Sequence, residues 1–140
     1  MTPKIIRSTE GLALMGGRQT IKIKSEDTDE KMSIIFSMIP AGSGIPVHVH
    51  SREVEMFVVS DGELEVTLNG KVHVLRKGDM VFMPKNVPHG FKAIKDTSMW
   101  VTLVPGGAEK MFVALAGLPG GPPDMRQVRQ ICDEYGVKFV

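Results

Sequence analysis

Two histidines and a glutamate in the segment Gly42–Gly62 have the residue types and spacing of a metal site. His48 and His50 lie two residues apart, so in a β-strand both imidazoles point to the same face. If Ser51–Glu53 turns the chain, the carboxylate of Glu55 faces back toward them. Imidazole nitrogens and a carboxylate together suit Fe, Mn, Ni, Co, Cu or Zn. The segment therefore predicts one divalent transition metal, whose identity the ligand types do not specify.

A third histidine comes from a separate segment. His89 ends the stretch that begins at Gly78 and contains Pro84, and on its own strand it shares a face with Phe91. Three imidazoles and one carboxylate in an octahedron would leave two positions open for water, substrate or O₂. This donor set therefore indicates a reactive site rather than a closed structural one.

Other polar residues have competing interpretations. Glu53 is close to His50 in sequence and shares strand parity with Glu55, so it is an alternative carboxylate ligand. His73 lies outside both segments and is expected to be a solvent-facing strand residue. Cys132 is the only cysteine, which excludes an internal disulfide, and it is expected to be a core or surface thiol rather than a nucleophile.

The elements that must position these residues are short β-strands separated by turn signals, which indicate an all-β sandwich or barrel. Asp61-Gly62 and Asn69-Gly70 predict hairpins, because both dipeptides tolerate positive φ. Apolar residues at helical spacing predict two helices over Ala108–Ala116 and Asp124–Tyr135. The predicted strands are Gln19–Lys24, Met32–Ile39, Val54–Ser60, Glu63–Leu68, Lys71–Leu75, Met80–Met83, Gly90–Ile94 and Ser98–Val104.

Composition narrows the function classes. A chain of 140 residues with 42% hydrophobic content favours one domain with one core. Its 17 basic and 16 acidic residues nearly balance and form no basic patch, so no nucleic-acid partner is expected. No apolar run approaches the roughly 20 residues of a membrane span, and the N-terminus lacks a signal-peptide core. The expectation is a cytoplasmic protein without a membrane partner.

The two histidine segments resemble the two motifs of the cupin superfamily. The first motif, G-x5-H-x-H-x(3,4)-E-x6-G, is matched by Gly42–Gly62 at every defined position. The second, G-x5-P-x-G-x2-H-x3-N, is matched at its first glycine, proline and histidine. Asn86 replaces its second glycine and Ala93 its final asparagine, and neither departure removes a ligand.

This resemblance implies a fold, a ligand set and an assembly. The fold would be a double-stranded β-helix, or jelly-roll barrel, forming a single domain over residues 1–140. The barrel would span about residues 30–105 and a helical extension about residues 107–136. A homodimer is also implied, paired through the N-terminal segment Lys4–Lys24. The implied metal ligands are His48, His50, Glu55 and His89.

The resemblance extends past the motifs. Val104–Gly107, followed by a helix with Glu109 and Phe112, is similar to small cupins related to quercetin dioxygenase. That similarity implies a metal-dependent dioxygenase for a small aromatic or enol-containing substrate, in which Glu55 acts as a base. Two alternatives stay open: a non-redox metal-dependent isomerase or cyclase, and a non-catalytic cupin that binds a small molecule.

A substrate pocket and its cover are the last expectations. Met111, Phe112 and Leu115 on the first helix either cap the barrel mouth as a lid or dock on its outside. Aromatic and apolar strand residues either line a pocket or fill the core, and strand parity favours Phe57 and Phe91 as pocket residues. The full set of candidate pocket residues is Phe36, Phe57, Met83, Phe91 and Trp100.

Overall fold

The computed structural model describes all 140 residues, which form two antiparallel β-sheets and two α-helices. The jelly-roll fold predicted from the motifs is confirmed. The helices are α1 (Glu109–Ala116) and α2 (Met125–Glu134). The strands are β1 (Leu12–Leu14), β2 (Gln19–Ile23), β3 (Ser33–Ile39), β4 (Gly44–His50), β5 (Val54–Asp61), β6 (Glu63–Leu68), β7 (Lys71–Arg76), β8 (Met80–Met83), β9 (His89–Ala93), β10 (Thr97–Val104) and β11 (Val137–Phe139).

The strands form a six-stranded and a five-stranded sheet. The first has the order β1-β2-β3-β10-β5-β8, and the second has the order β11-β4-β9-β6-β7. Side chains alternate between the two faces of each strand, so one face of each sheet can be apolar and inward. Along β10, for example, Met99, Val101 and Leu103 are buried, and the residues between them are half-buried or exposed. Inward residues of both sheets build the main core.

Most strands agree with the sequence prediction to within a residue or two at each end, but β1, β4 and β11 were not predicted as strands. β4 contains Pro46 and begins at Gly44, and both residue types are depleted in strands. β1 and β11 have three residues each, too few for a periodic pattern. Short strands of this kind depend on pairing with a neighbour distant in sequence.

Pairing across the two sheets places the histidines and the glutamate. His48 on β4 is the register partner of His89 on β9, within the second sheet. Glu55 lies on β5 in the first sheet, where its register partners are Met83 and Leu103. The site is therefore built between two sheets rather than on one.

The C-terminal extension returns to the strand that carries two of the histidines. β11 pairs antiparallel with β4, with Val137 opposite His50 and Phe139 opposite His48. Gly136 makes the return possible, because it has φ +74° and an added Cβ would lie 2.5 Å from Ser51 Oγ. Neither helix is long and apolar enough to cross a lipid bilayer.

The start of α1 is attached to the barrel by a buried carboxylate. Glu109 accepts hydrogen bonds from the backbone N–H groups of Ser25, at 2.7 Å, and Gly107, at 2.8 Å. Burial alone would raise the pKa of Glu109, but hydrogen bonds from Ser25 and Gly107 outweigh it, and the pKa lies below its ordinary value. The ionised carboxylate therefore stabilises the docked helix.

Candidate metal centre

The structure brings together all four residues that the motifs imply as metal ligands. His48, His50, Glu55 and His89 each offer one ligand atom, and these atoms all lie within 4.8 Å of one another. Each residue exposes 5% or less of its surface. Four ligating groups this close and this deeply buried are unusual unless they bind something, because burying unpaired charge is costly.

Backbone carbonyls orient two of the imidazoles. His48 Nδ1 lies 2.8 Å from the carbonyl oxygen of Pro46, and His89 Nδ1 lies 2.9 Å from that of Val87. A carbonyl oxygen can only accept, so each Nδ1 must carry the proton. The Nε2 of each ring is then left with a free electron pair, the tautomer that a metal requires.

A second carboxylate orients the third imidazole. His50 Nδ1 lies 3.2 Å from Glu53 Oε2, and both residues are buried. Sequence alone left Glu53 and Glu55 as alternatives for the ligand. In the structure Glu53 contacts the ring nitrogen on the far side from the cluster, so it supports His50 while Glu55 joins the cluster. Glu53 thus has a role that its spacing did not reveal.

Glu55 approaches two of the imidazoles. Its Oε1 is 2.9 Å from His89 Nε2 and 3.7 Å from His50 Nε2. With Nδ1 of His89 protonated, Nε2 and the carboxylate oxygen are both electron-pair donors at hydrogen-bond distance. Two such atoms approach to this distance favourably only when a proton or a cation lies between them. The donor set therefore fits a divalent transition metal, although it does not determine which one.

The two histidines of β4 differ in their affinity for protons. Burial lowers the pKa of His48 to about 4, helped by repulsion from His89 and His50. For His50 burial also lowers the pKa, but the hydrogen bond with Glu53 and the charge of Glu55 outweigh it, and the net shift is upward. His48 is consequently neutral at pH 7, as a metal ligand must be.

A largely apolar cavity adjoins the cluster. It has a volume of about 600 Å³, and 17 of its 28 lining residues are hydrophobic. His48, His50 and Glu55 belong to its wall. Phe57 and Phe91, both expected as pocket residues, line it with their rings edge to face at a centroid distance of 5.5 Å. Its size and apolar lining are those of a small-molecule pocket.

The structure corrects the other candidate pocket residues. Phe36 and Trp100 pack against each other at a centroid distance of 4.8 Å on the outer face of the first sheet, and neither lines the cavity. Their inward neighbours on the same strands, such as Ile35 and Val101, line it instead. Met83 does point inward, but it is enclosed in the core at 1% exposure and does not reach the cavity.

The C-terminal extension forms part of the cavity wall. Met111, Phe112 and Leu115 of α1 line it, so the apolar side of the helix faces the cavity rather than docking elsewhere on the outside of the barrel. Cys132, Val137 and Phe139 also contribute to the wall, which no pattern in the sequence indicated. These three belong to segments whose position depends on the pairing of β11 with β4. His73 is exposed on β7, as predicted.

Comparison with known proteins identifies the family of this chain. The family model described as the cupin domain matches residues 35–109. Quercetin 2,3-dioxygenase of Bacillus subtilis is 29% identical over 119 residues, which are 84% of this chain. The match covers 35% of that relative, so the chain spans about a third of its length.

Solved structures agree with the fold. An RmlC-like cupin from Shewanella frigidimarina superposes with a TM-score of 0.66 at 20% identity, over 78% of this chain and 96% of that one. A predicted oxalate decarboxylase from Thermotoga maritima superposes with a TM-score of 0.65 at 21% identity, over 73% of this chain and 99% of that one. At these identities the likeness extends to the fold alone.

Proposed function

The chain belongs to the cupin family, and from that premise we propose that it is a metal-dependent dioxygenase for a small aromatic or enol-containing substrate. The observation that carries the proposal is a buried cluster of three histidines and one glutamate in the wall of an apolar cavity of about 600 Å³. The similarity to a quercetin 2,3-dioxygenase supports the choice of reaction.

The ligand residues and the cavity have separate tasks. A metal held by His48, His50, Glu55 and His89 would supply Lewis acidity toward a substrate oxygen and the capacity to react with O₂. The cavity wall would select the substrate, because Phe57 and Phe91 offer two aromatic surfaces beside the cluster. Apolar side chains of α1 extend the cavity wall beside the cluster.

Glu55 is the residue of this chain best placed to move a proton. Among the residues that line the cavity it is the only one with a carboxylate. An enol or phenol hydroxyl entering beside the cluster would meet that carboxylate as its nearest base. Its Oε1 lies 2.9 Å from Nε2 of His89, so the base would act directly beside the ligand cluster. We assign to Glu55 the removal of the hydroxyl proton.

Metal analysis and oxygen uptake test the proposal together. The purified full chain is loaded separately with Fe, Mn, Ni, Co, Cu and Zn. It is expected to bind one ion and, with a redox-active metal, to consume O₂ with flavonols or simpler enols. His48→Ala and His89→Ala should lose both metal and activity. His73→Ala is the matched control, because it removes an exposed histidine and should change neither property.

The outcome also decides among the alternatives. Failure of the wild type to bind stoichiometric metal under every loading condition would exclude the dioxygenase. Bound zinc with turnover that consumes no O₂ would support a non-redox isomerase or cyclase instead. Saturable binding of enols without any turnover would support a cupin that only binds a small molecule.

A further inference from the structure

We propose that Gln19 and Ser37 form a polar subsite in the cavity, which binds a second, uncharged hydroxyl or carbonyl group of the substrate away from the ligand cluster. Both residues line the cavity. Apart from the ligand residues, they are the only ones on its wall with a hydroxyl, amide or charged side chain. The inference rests on the proposed function, because it assumes that the enol of the substrate lies at the cluster.

Strand register places the two side chains next to each other. Gln19 on β2 is the register partner of Ser37 on β3. Side chains that lie directly opposite on an antiparallel pair have Cβ atoms about 4.5–5.5 Å apart. Both point inward, because Ile21 and Ile35 lie two residues away on the same strands and are buried in the main core. One group of a ligand can therefore contact both side chains.

Neither side chain forms a hydrogen bond within the chain, in contrast to the hydroxyls of Ser51 and Ser60, which donate to backbone carbonyls. Ser37 is nevertheless only 6% exposed. The one buried side-chain polar atom that has neither a partner nor access to any surface is Ser33 Oγ, so the hydroxyl of Ser37 opens onto the cavity that it lines. A buried hydroxyl without a partner favours a ligand that supplies one.

The subsite lies at a distance from the cluster that register defines. Ser37 is four residues along β3 from Ser33, which shares a row with Leu103 on β10 and Glu55 on β5. At about 3.4 Å per residue and about 4.8 Å per strand, the Cα atoms of Ser37 and Glu55 would be about 17 Å apart in a flat sheet. Because side chains extend inward from both ends, a ligand with its contacts spans on the order of 10–15 Å. A molecule of several linked rings, such as a flavonol, has this length.

The cavity wall also indicates the chemistry of the second group. No lysine or arginine lines the cavity, and Glu55 is its only carboxylate. A charged group beside Gln19 and Ser37 would lose its water without gaining a counter-charge. An amide and a hydroxyl can each donate and accept, which suits a neutral hydroxyl or carbonyl. The substrate is therefore an elongated apolar molecule with an enol at the cluster and an uncharged oxygen group at the subsite.

Binding of flavonols to the zinc-loaded full chain tests the subsite without turnover. The probes are 3-hydroxyflavone and its 3,4′- and 3,7-dihydroxy relatives, which carry the second hydroxyl at opposite ends of the ring system. Fluorescence titration without O₂ should show that at least one dihydroxy probe binds about 10-fold more tightly than 3-hydroxyflavone. In the double variant Gln19→Leu/Ser37→Ala this ratio of affinities should fall to about one. Circular dichroism checks that the variant folds.

Thr20→Val is the matched control. It removes a hydroxyl from the opposite face of β2, where Thr20 is the register partner of Phe36, and it should keep the wild-type ratio. A flavonol with a carboxylate in place of the second hydroxyl should bind no more tightly than 3-hydroxyflavone. Tighter binding of that probe would contradict an uncharged subsite.

The outcomes separate this inference from the proposed function. Equal affinity of the wild type for all three neutral probes overturns the subsite, even if the chain loaded with a redox-active metal oxidises flavonols. A ratio that the double variant leaves unchanged also overturns it, as does the absence of saturable binding of every probe. A wild-type ratio that the double variant abolishes supports the subsite even when no metal gives O₂ consumption, and in that case only the dioxygenase proposal fails.

Discussion

Replacement of Glu53 should weaken metal binding although Glu53 is not a ligand. Its Oε2 lies 3.2 Å from His50 Nδ1, and the two residues expose 4% and 3% of their surfaces. In Glu53→Ala the Nδ1–H of His50 loses its hydrogen-bond acceptor at a position that water does not reach. A buried donor left without an acceptor costs about 1–3 kcal/mol of stability. The ring can then rotate or move its proton to Nε2. Partners of this kind change metal affinity about 10- to 100-fold, equivalent to about 1.4–2.7 kcal/mol.

Competition with a chromogenic chelator for Co²⁺ or Zn²⁺ measures this effect. Glu53→Ala should raise the metal dissociation constant about 10- to 100-fold, and Glu53→Gln, which keeps an acceptor oxygen, less than about tenfold. Glu65→Ala is the matched control, because it removes the same charge from an outward position of β6. A dissociation constant for a folded Glu53→Ala within about threefold of wild type would refute the argument. Loss of binding in Glu53→Ala but not in Glu55→Ala would make Glu53 the ligand.

Three further predictions concern the extension that lines the cavity. Hydrogen bonds from Ser25 and Gly107 outweigh burial and lower the pKa of Glu109 below 4.5, its value in the unfolded chain. The stabilisation of the fold by this carboxylate is therefore present above pH 4.5 and is lost as the pH falls through the lower pKa of the folded state. Thermal melts should therefore show that Glu109→Gln lowers the free energy of unfolding by about 1–2 kcal/mol at pH 7, and that wild type and variant become equally stable in acid. A difference in stability that does not change with pH would contradict this. Deletion of residues 137–140 removes the strand beside β4 and should lower both the melting temperature and the metal affinity, and unchanged values would show that β11 does not brace the site. Burial raises the pKa of Cys132, so its reaction with Ellman's reagent should be at least about 100-fold slower in the folded than in the unfolded chain; equal rates would contradict its buried position.

Turn chemistry and side-chain alternation made much of the barrel predictable. Asn69-Gly70 joins β6 to β7, which pair as the predicted hairpin, and both residues have positive φ. Asp61-Gly62 also turns the chain, with Gly62 at positive φ, but it joins β5 and β6 of different sheets, so the hairpin predicted there is wrong. These features depend on steric preferences of neighbouring residues, which a sequence displays directly. The strand bounds follow for the same reason, apart from short strands that depend on a distant partner.

Pocket residues were harder to predict, because parity tells which residues share a face but not which face is inward. Phe36 and Trp100 alternate with Ile35 and Val101 on their strands, and both pairs are apolar. Hydrophobicity could not distinguish the inner face from the outer one in the first sheet, since that sheet is apolar on both sides. The error about the pocket therefore originates in the apolar character of both faces of the first sheet.

The donor types and the shared face of His48 and His50 follow from the sequence, because they depend only on residue spacing and strand geometry. Turn signals and alternation predict an all-β sandwich or barrel, and the resemblance to the cupin motifs implies the jelly roll. Tertiary packing brings Glu55 to the histidines from the opposite sheet and places Glu53 against His50 on the side away from the cluster. It also places α1 and β11 in the wall of the cavity. These arrangements come from burial of segments far apart in the chain, and their energy depends on the whole packed barrel rather than on any local pattern.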